Sequence, residues 1–292
     1  MRHAVIDVGS NTVRTVIHEI NAQEHTIIHN ARDFIGIIGY IKNNFLSHEG
    51  MEILSASLER MADICSGFEC DRIHCFATAS LRNIENSSDV LDMIYRRSGI
   101  NVKIISGKDE ILYDLAGLLS AEDISDGTGL DLGGGSCQIF TFENKKLTDS
   151  VCLPVGSLRM YEKFSSEHDI YTKVYEYVSE LLSEHASFRG SSHKDIYAIG
   201  GTARIAEKVC GEINGGGADI RLPDLDMILS PEHLAHARSI VSRICPERAD
   251  SLFTGCAVLK AVCEYVGAEK IRIVQAGVRE GFLYMTILGN LL

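Results

Sequence analysis

The sequence predicts an α/β protein made of two similar halves that face each other across a cleft, and two stretches carry that prediction. One is Asp131-Leu132-Gly133-Gly134-Gly135-Ser136, set between Thr128-Gly129-Leu130 and the β-prone run Cys137 to Phe142. Three glycines between two strand-like runs make a hairpin turn without Cβ atoms, so backbone N–H groups can approach an anion together. The other is Val5-Ile6-Asp7-Val8-Gly9-Ser10-Asn11-Thr12-Val13-Arg14, which again reads strand, Asp, Gly, small polar residues, strand, roughly 120 residues earlier. Neither is a dinucleotide fingerprint or a Walker loop. An Asp at the rim of an anion cradle makes sense with a divalent cation between the two anions. The plainer reading of either stretch alone is a Gly-rich hairpin with a solvated Asp.

With 292 residues, 45% hydrophobic and 23% charged, the chain has room for two domains and the balance of a soluble globular protein. No signal peptide precedes the first strand and no apolar run is long enough for a bilayer, so a cytoplasmic location is expected. Nine cysteines without a C-x-x-C pair fit reduced, mostly buried thiols. A net charge of −12 argues against non-specific nucleic-acid binding and against a membrane-surface role. The same charge opposes a polyanionic ligand, whose binding would have to be local, through oriented N–H groups, a metal and a few arginines.

Along the chain, His25 to His29 reads as a third meander strand with both histidines on one face, where exposed positions explain them more simply than a ligand pair. Phe34 to Ile41 is a loop or short helix. Ser47 caps a helix whose apolar residues Met51, Leu54, Leu58, Met61 and Ile64 share one side. A buried strand, Ile73 to Ala77, leads into Thr78-Ala79-Ser80-Leu81-Arg82, where Arg82 is either a phosphate-binding side chain beyond a strand end or a surface residue opening the next helix. After Val102 to Ile105, the acids Asp109 and Glu110 follow Ser106-Gly107, which is consistent with capping alone. Residues 111 to 120 form a helix between the halves, and 121 to 127 a boundary. Arg159 lies near the cleft or on a helix surface. Tyr171 to Leu182 is an amphipathic helix, Asp195 to Ile199 a strand, Gly211 to Gly217 a flexible loop, and Ser230-Pro231-Glu232 a capped helix start. Glu247-Arg248 reads as a salt-bridged corner before an apolar helix, and Phe282 to Leu292 as a last helix.

The paired turns, with Ile199-Gly200-Gly201-Thr202-Ala203, resemble the actin-like superfamily of sugar kinases, acetate kinase and actin. Within it, Asp7 to Thr12, Asp131 to Ser136, Ser106-Gly107-Lys108-Asp109-Glu110, Arg159 and Gly277-Val278-Arg279-Glu280-Gly281 resemble most closely the exopolyphosphatase and guanosine pentaphosphate phosphohydrolase (Ppx/GppA) family. Asp109 stands where the family pattern has a first Glu, and Ile111 where it has Ala. The resemblance implies two ribonuclease H-like, actin-type domains with mixed five-stranded sheets flanked by helices, residues 1–120 (joined by the C-terminal helix 282–292) and 121–281. It implies a hydrolase that removes terminal phosphate from polyphosphate or guanosine pentaphosphate by Mg2+-assisted water attack in the interdomain cleft. Glu110 would be the base, with its pKa raised by neighbouring aspartates, and Arg82 would neutralise developing charge. Asp7 and Asp131 would hold Mg2+. Gly9, Ser10, Asn11, Thr12, Arg14, Gly133, Gly134, Gly135, Ser136, Gly200, Gly201 and Thr202 would bind phosphate. Longer family members carry further C-terminal domains, so an extended polyphosphate groove would be missing here or built by a homodimer. The rivals are a small-molecule kinase of the same fold and a non-catalytic nucleotide or alarmone sensor.

Overall fold

The computed structural model describes residues 1–21, 24–190, 193–215 and 219–289. The chain divides into two units, Met1–Glu110 with Thr286–Gly289, and Ile111–Met285. The first opens with the meander β1 (Arg2–Val8), β2 (Thr12–Asn21) and β3 (Glu24–Phe34), then a 3-10 turn at Ile37–Tyr40 and the small hairpin β4 (Ile41–Lys42) and β5 (Phe45–Leu46). Helix α1 (His48–Gly67), β6 (Arg72–Ala77), α2 (Ala79–Arg82), α3 (Ser87–Ser98) and β7 (Val102–Ile104) complete it. The sheet order is β3-β2-β1-β6-β7, antiparallel through the meander and parallel from β1 to β7. Side chains alternate along a strand. Ala4, Ile6 and Val8 therefore join Val13, Ile17, Leu54, Leu58 and Met61 in the core, while His3, Val5 and Asp7 take the other face. Ser47 caps α1, its Oγ accepting from Gly50 N at 3.2 Å.

Two histidines fall differently from the sequence reading. Ile17 pairs with His29 but His18 pairs with Ile27, so a β-bulge lies between them. One extra residue reverses the side on which the strand presents everything beyond it. His29 packs on Phe68, 4.5 Å between ring centroids, while His25 turns to the opposite face and meets His18 edge-on. Next to that pair, His3 Nδ1 and His74 Nε2 are 3.1 Å apart. Burial lowers the pKa of both, helped by Arg72 and the N-terminal amine for His3, against Asp71, and by His3 and Arg72 for His74. Below the ordinary histidine value of 6.5 the unfolded chain takes up these protons before the folded one does. This contribution to stability is present above that pH and is lost as pH falls. Thermal unfolding from neutral pH down to about pH 5 is expected to show a smaller acid-induced drop in midpoint for His74→Gln than for the natural chain; equal drops would remove this pair from the account.

Helix α4 (Gly107–Ala121) carries the chain into the second unit, built from β8 (Gly127–Leu132), β9 (Cys137–Glu143), β10 (Lys146–Leu153), α5 (Ser157–Phe164), α6 (Ile170–Ser183), β11 (Asp195–Ile199), α7 (Gly201–Asn214), β12 (Asp219–Arg221), α8 (Leu222–Leu229), α9 (Pro231–Ile244), α10 (Leu252–Val266), β13 (Lys270–Ile273) and α11 (Val278–Phe282). The sheet order β10-β9-β8-β11-β13-β12 repeats the first sheet and adds an antiparallel edge strand, β12. One face packs on α10, which is buried along most of its length. The other packs on Ile111, Leu115, Leu118 and Leu119 of α4. Two expectations need correction. Residues 211–214 are the last turn of α7 rather than a loop, with Gly216 and Gly217 outside the described residues. The closing segment is α11 and then a π-helical turn, Leu283–Ile287, with residues 290–292 likewise outside. Ser230 precedes α9, but its hydroxyl donates to Met227 O (2.7 Å) instead of capping it. All nine cysteines are free thiols, and no helix among the described residues is long and apolar enough to cross a membrane.

Candidate active site

The turns after Asp7 and Asp131 have the same construction. Gly9 N donates to Thr12 O at 3.0 Å, and Gly133 N donates to Ser136 O at 3.0 Å. These two N–H groups close the turns. Gly9 and Gly133 thus shape the cradles rather than donate to a ligand, unlike the expectation from sequence. The first turn is tied down behind Asp7: Ser80 Oγ and Thr78 N donate to Val8 O at 3.0 and 3.3 Å.

The orientation of the remaining N–H groups follows from the carbonyls. Gly133 O accepts from Ser157 N, and Gly134 O from Leu158 N and Arg159 N, all between 2.9 and 3.0 Å. The start of α5 thus satisfies the carbonyls of the loop, and the loop satisfies the orphan donors of the helix. In a trans peptide C=O and N–H point opposite ways, and no cis bond occurs among the described residues. The N–H groups of Gly134 and Gly135 consequently point away from α5. In the first unit the 3-10 turn has the same role: Ile38 N donates to Ser10 O at 3.2 Å, which turns Asn11 N–H outward, and Ile35 N and Gly36 N donate to Asn11 O. Gly36 and Gly156 are the residues that start these two helical segments.

Each turn also keeps a side-chain donor in reserve. Asn11 Nδ2 beside the first and Arg159 Nε beside the second are buried and have no hydrogen-bond partner among the described residues. Buried donors are normally paired. Arg159 is therefore no solvated helix-surface residue. Ser10 and Ser136 are nearly buried, and Gln138 donates to Ser136 Oγ at 2.9 Å, which leaves the Ser136 proton for another acceptor. Thr12 begins β2 opposite Phe34, and Arg14 lies directly opposite Asp7 on the neighbouring strand.

Arg82 and Glu110 come together. Arg82 Nη1 donates to Glu110 Oε2 at 2.9 Å and to Ile105 O at 3.1 Å, with the Glu110 side chain 6% exposed and that of Arg82 18%. A guanidinium is thus one partner of the Glu110 carboxylate. Asp109 separates cleanly: its carboxylate accepts from Ser106 Oγ (2.8 Å) and its N–H donates to Ser106 Oγ (3.0 Å), a capping box that starts α4. One of the two acids is structural, and the next is the buried anion of an ion pair.

In the second unit Asp131 lies over Gly200. A Cβ there would stand 2.7 Å from Leu132 O and 2.8 Å from Asp131 Oδ1, and φ is +105°, so only glycine fits. Asp131 is also within electrostatic reach of Arg204, one turn into α7. Burial and then the neighbouring Arg279 pull Arg204 below the usual arginine range, while Asp131, Glu280 and Glu207 act in the opposite sense. Thr202 is fully buried, its Oγ1 donating to Ser157 Oγ (3.3 Å) and accepting from Arg248 Nη1 (3.3 Å). Its side chain therefore locks α7 to α5 instead of meeting phosphate. Arg248, read from sequence as part of a salt-bridged corner, lies with its guanidinium against Gly201. The buried thiols of Cys75 and Cys137 are pushed well above the usual range, first by burial and then by Asp7 and Asp131 respectively, which disfavours the thiolate in both.

The sequence matches the Ppx/GppA phosphatase family over residues 16–289. The chain belongs to the Ppx/GppA phosphatase family. Among similar curated proteins, the bifunctional 3-dehydroquinate synthase/phosphatase of Fusobacterium nucleatum is 25% identical over 293 residues, covering 92% of this chain. The chain spans only 44% of the length of that relative. Exopolyphosphatase 1 of Mycobacterium bovis is 21% identical over 97% of this chain and 87% of its own length. Among solved structures, an exopolyphosphatase from Cytophaga hutchinsonii superposes with a TM-score of 0.86 at 20% identity (99% and 98% of the two chains), and a Ppx/GppA member from Aquifex aeolicus with 0.78 at 19% (99% and 98%). At these identities the structural likeness is one of fold: two mixed sheets flanked by helices, as the sequence predicted.

Proposed function

We propose that this family member hydrolyses a terminal phosphoanhydride, of polyphosphate or of guanosine pentaphosphate, with the turns after Asp7 and Asp131 each offering donors to phosphate. The observation that carries the reading is that each turn holds a buried side-chain donor, Asn11 Nδ2 or Arg159 Nε, with no acceptor among the described residues, beside backbone N–H groups aimed away from the fold. A phosphate oxygen is the acceptor both lack.

The protein's part is positioning. Asn11 N–H and Nδ2, Gly134 and Gly135 N–H, Ser136 Oγ–H and Arg159 grip the non-bridging oxygens. Glu110, held by Arg82, accepts a hydrogen bond from the attacking water and aims it in line with the leaving oxygen. As water's oxygen bonds to phosphorus, the phosphorus–oxygen bond to the rest of the chain breaks, one water proton passes to Glu110, and orthophosphate departs. A loose transition state asks little basicity of that carboxylate. Each turn offers one hard carboxylate, Asp7 in the first and Asp131 in the second, that would hold Mg2+, with water and substrate oxygens as its other ligands. Bound there, the ion would supply positive charge to the substrate's oxygens.

Phosphate release from polyphosphate, guanosine pentaphosphate and ATP, assayed with Mg2+ and with a chelator, tests this. Acceptor-independent release from one of the first two is expected, reduced by at least about tenfold on chelation. ATP consumption only in the presence of an added sugar or acid would make the protein a kinase, and no release from any of the three would make it a sensor.

A further inference from the structure

We infer that Arg32, beside Arg14 on the first sheet, forms a subsite for the phosphate groups that follow the terminal one, an extension of the reading above. Asp7 lies directly opposite Arg14, and Arg14 directly opposite Arg32, so the three side chains stand in one row on one face across β1, β2 and β3. The row is one anion and two cations in a chain of net charge −12. Like charges facing each other across a strand pair cost stability, yet no ion pair among the described residues offsets this one on the Arg32 side. Arg32 is exposed and has no hydrogen-bond or ion-pair partner among the described residues; its guanidinium lies over the Phe34 ring at 5.0 Å. That contact orients it without neutralising it. Arg14 is aimed in turn by Asn30 Oδ1, which accepts from its Nε at 3.0 Å.

The row begins at the cradle. β3 ends at Phe34, opposite Thr12, and the next two N–H groups, of Ile35 and Gly36, hold Asn11 O. At a strand spacing of about 4.8 Å, the Arg32 backbone lies about 10 Å from that of Asp7, within the compass of an anionic chain that starts at the turn and passes Arg14. A planar guanidinium suits the paired oxygens of a phosphoryl group. The net acidic charge disfavours a polyanion on the molecule as a whole, and two adjacent arginines leading away from the turn supply a local attraction against it. An inorganic polyphosphate and the 5′-phosphates of a nucleotide present the same chemistry here.

The test is equilibrium binding of three probes that cannot be hydrolysed onward, orthophosphate, diimidotriphosphate and guanylyl imidodiphosphate, to the full chain, to Arg32→Gln and to Arg32→Lys, with unfolding midpoints recorded. Arg32→Gln is expected to weaken diimidotriphosphate, guanylyl imidodiphosphate or both by about tenfold, to leave orthophosphate unchanged, and to raise the midpoint slightly as the like-charge pair disappears. Arg32→Lys should recover part of the affinity. Loss with the inorganic probe alone assigns an inorganic chain, and loss with the nucleotide alone assigns a nucleotide. Unchanged affinity for both, an equal loss for orthophosphate, or a lowered midpoint would overturn the subsite. A chain that binds these probes through Arg32 and releases phosphate from nothing would keep the subsite and refute the hydrolase reading. A chain that binds none of them would refute both.

Discussion

Glu110→Gln is expected to lower phosphate release by at least about a hundredfold while the protein stays folded, because an amide of the same shape cannot accept the proton of the attacking water. The ion pair makes the comparison with Arg82 informative. Removing one member of a buried pair strands the other. Arg82→Gln leaves the Glu110 carboxylate, 6% exposed, without its guanidinium, and should cost roughly 3 kcal/mol. Glu110→Gln leaves an arginine that is 18% exposed and still donates to Ile105 O, and should cost about 1–2 kcal/mol. The double variant strands neither charge and should be more stable than Arg82→Gln alone, with a coupling of at least about 1 kcal/mol. It should remain inactive. Denaturant melts combined with a phosphate-release assay read all four corners of the cycle. Wild-type release in Glu110→Gln would remove Glu110 from the chemistry, whatever the melts show.

Parts of this site were legible in the sequence because they are local. An aspartate at the end of an alternating apolar run, followed at once by glycine and small polar residues, places a carboxylate and a turn together without knowledge of the rest of the chain, and both Asp7 and Asp131 sit where that pattern puts them. Arg82 was placed beyond a strand end by its position after Ile73 to Ala77 and Glu110 was singled out by the family resemblance, although their contact, 28 residues apart in sequence, was not foreseen. What stayed hidden depends on partners distant in sequence or on backbone irregularity. Thr202 follows a glycine pair as a ligand-binding threonine would, but Ser157 and Arg248 take its hydroxyl, from 45 and 46 residues away. The histidines of β3 share a face only in a regular strand, and the bulge beside His18 has no residue signature. β12 is three residues long, too short to show alternation. The Ser106 and Asp109 pair did carry a signal, a capping box, which could have separated Asp109 from Glu110 from the outset.

The glycine with the largest expected effect stands outside both glycine-rich stretches. A Cβ at Gly156 would overlap the Gly134 carbonyl and Gly135 N, and backbone held on both sides cannot give way as a flexible side-chain tip can. The loop is pinned by Ser157 N, Leu158 N and Arg159 N, and α5 is pinned through Ser157 to Thr202 and through Ser157 O to Thr254 Oγ1 at 2.8 Å. Gly156→Ala must therefore break part of the carbonyl capping and re-aim the N–H groups of Gly134 and Gly135. A displacement near 1 Å is enough to cost about a hundredfold in rate when catalysis rests on positioning. Two substitutions calibrate the effect. Gly36→Ala, at the matching place in the first unit, meets only Asn11 Oδ1 at 4.0 Å but has φ +54°, so it should cost about 1 kcal/mol of stability and little activity. Gly211→Ala, within α7 and with nothing within 4 Å of the added carbon, should stabilise by up to about 1 kcal/mol and leave the rate alone. Amide chemical shifts of Gly134 and Gly135 would report the displacement independently of turnover. If those shifts and the rate of Gly156→Ala match the natural protein while Gly36→Ala is the damaging change, the second turn is not held by α5 in the way its hydrogen bonds indicate, and the outward aim of its donors loses its physical basis.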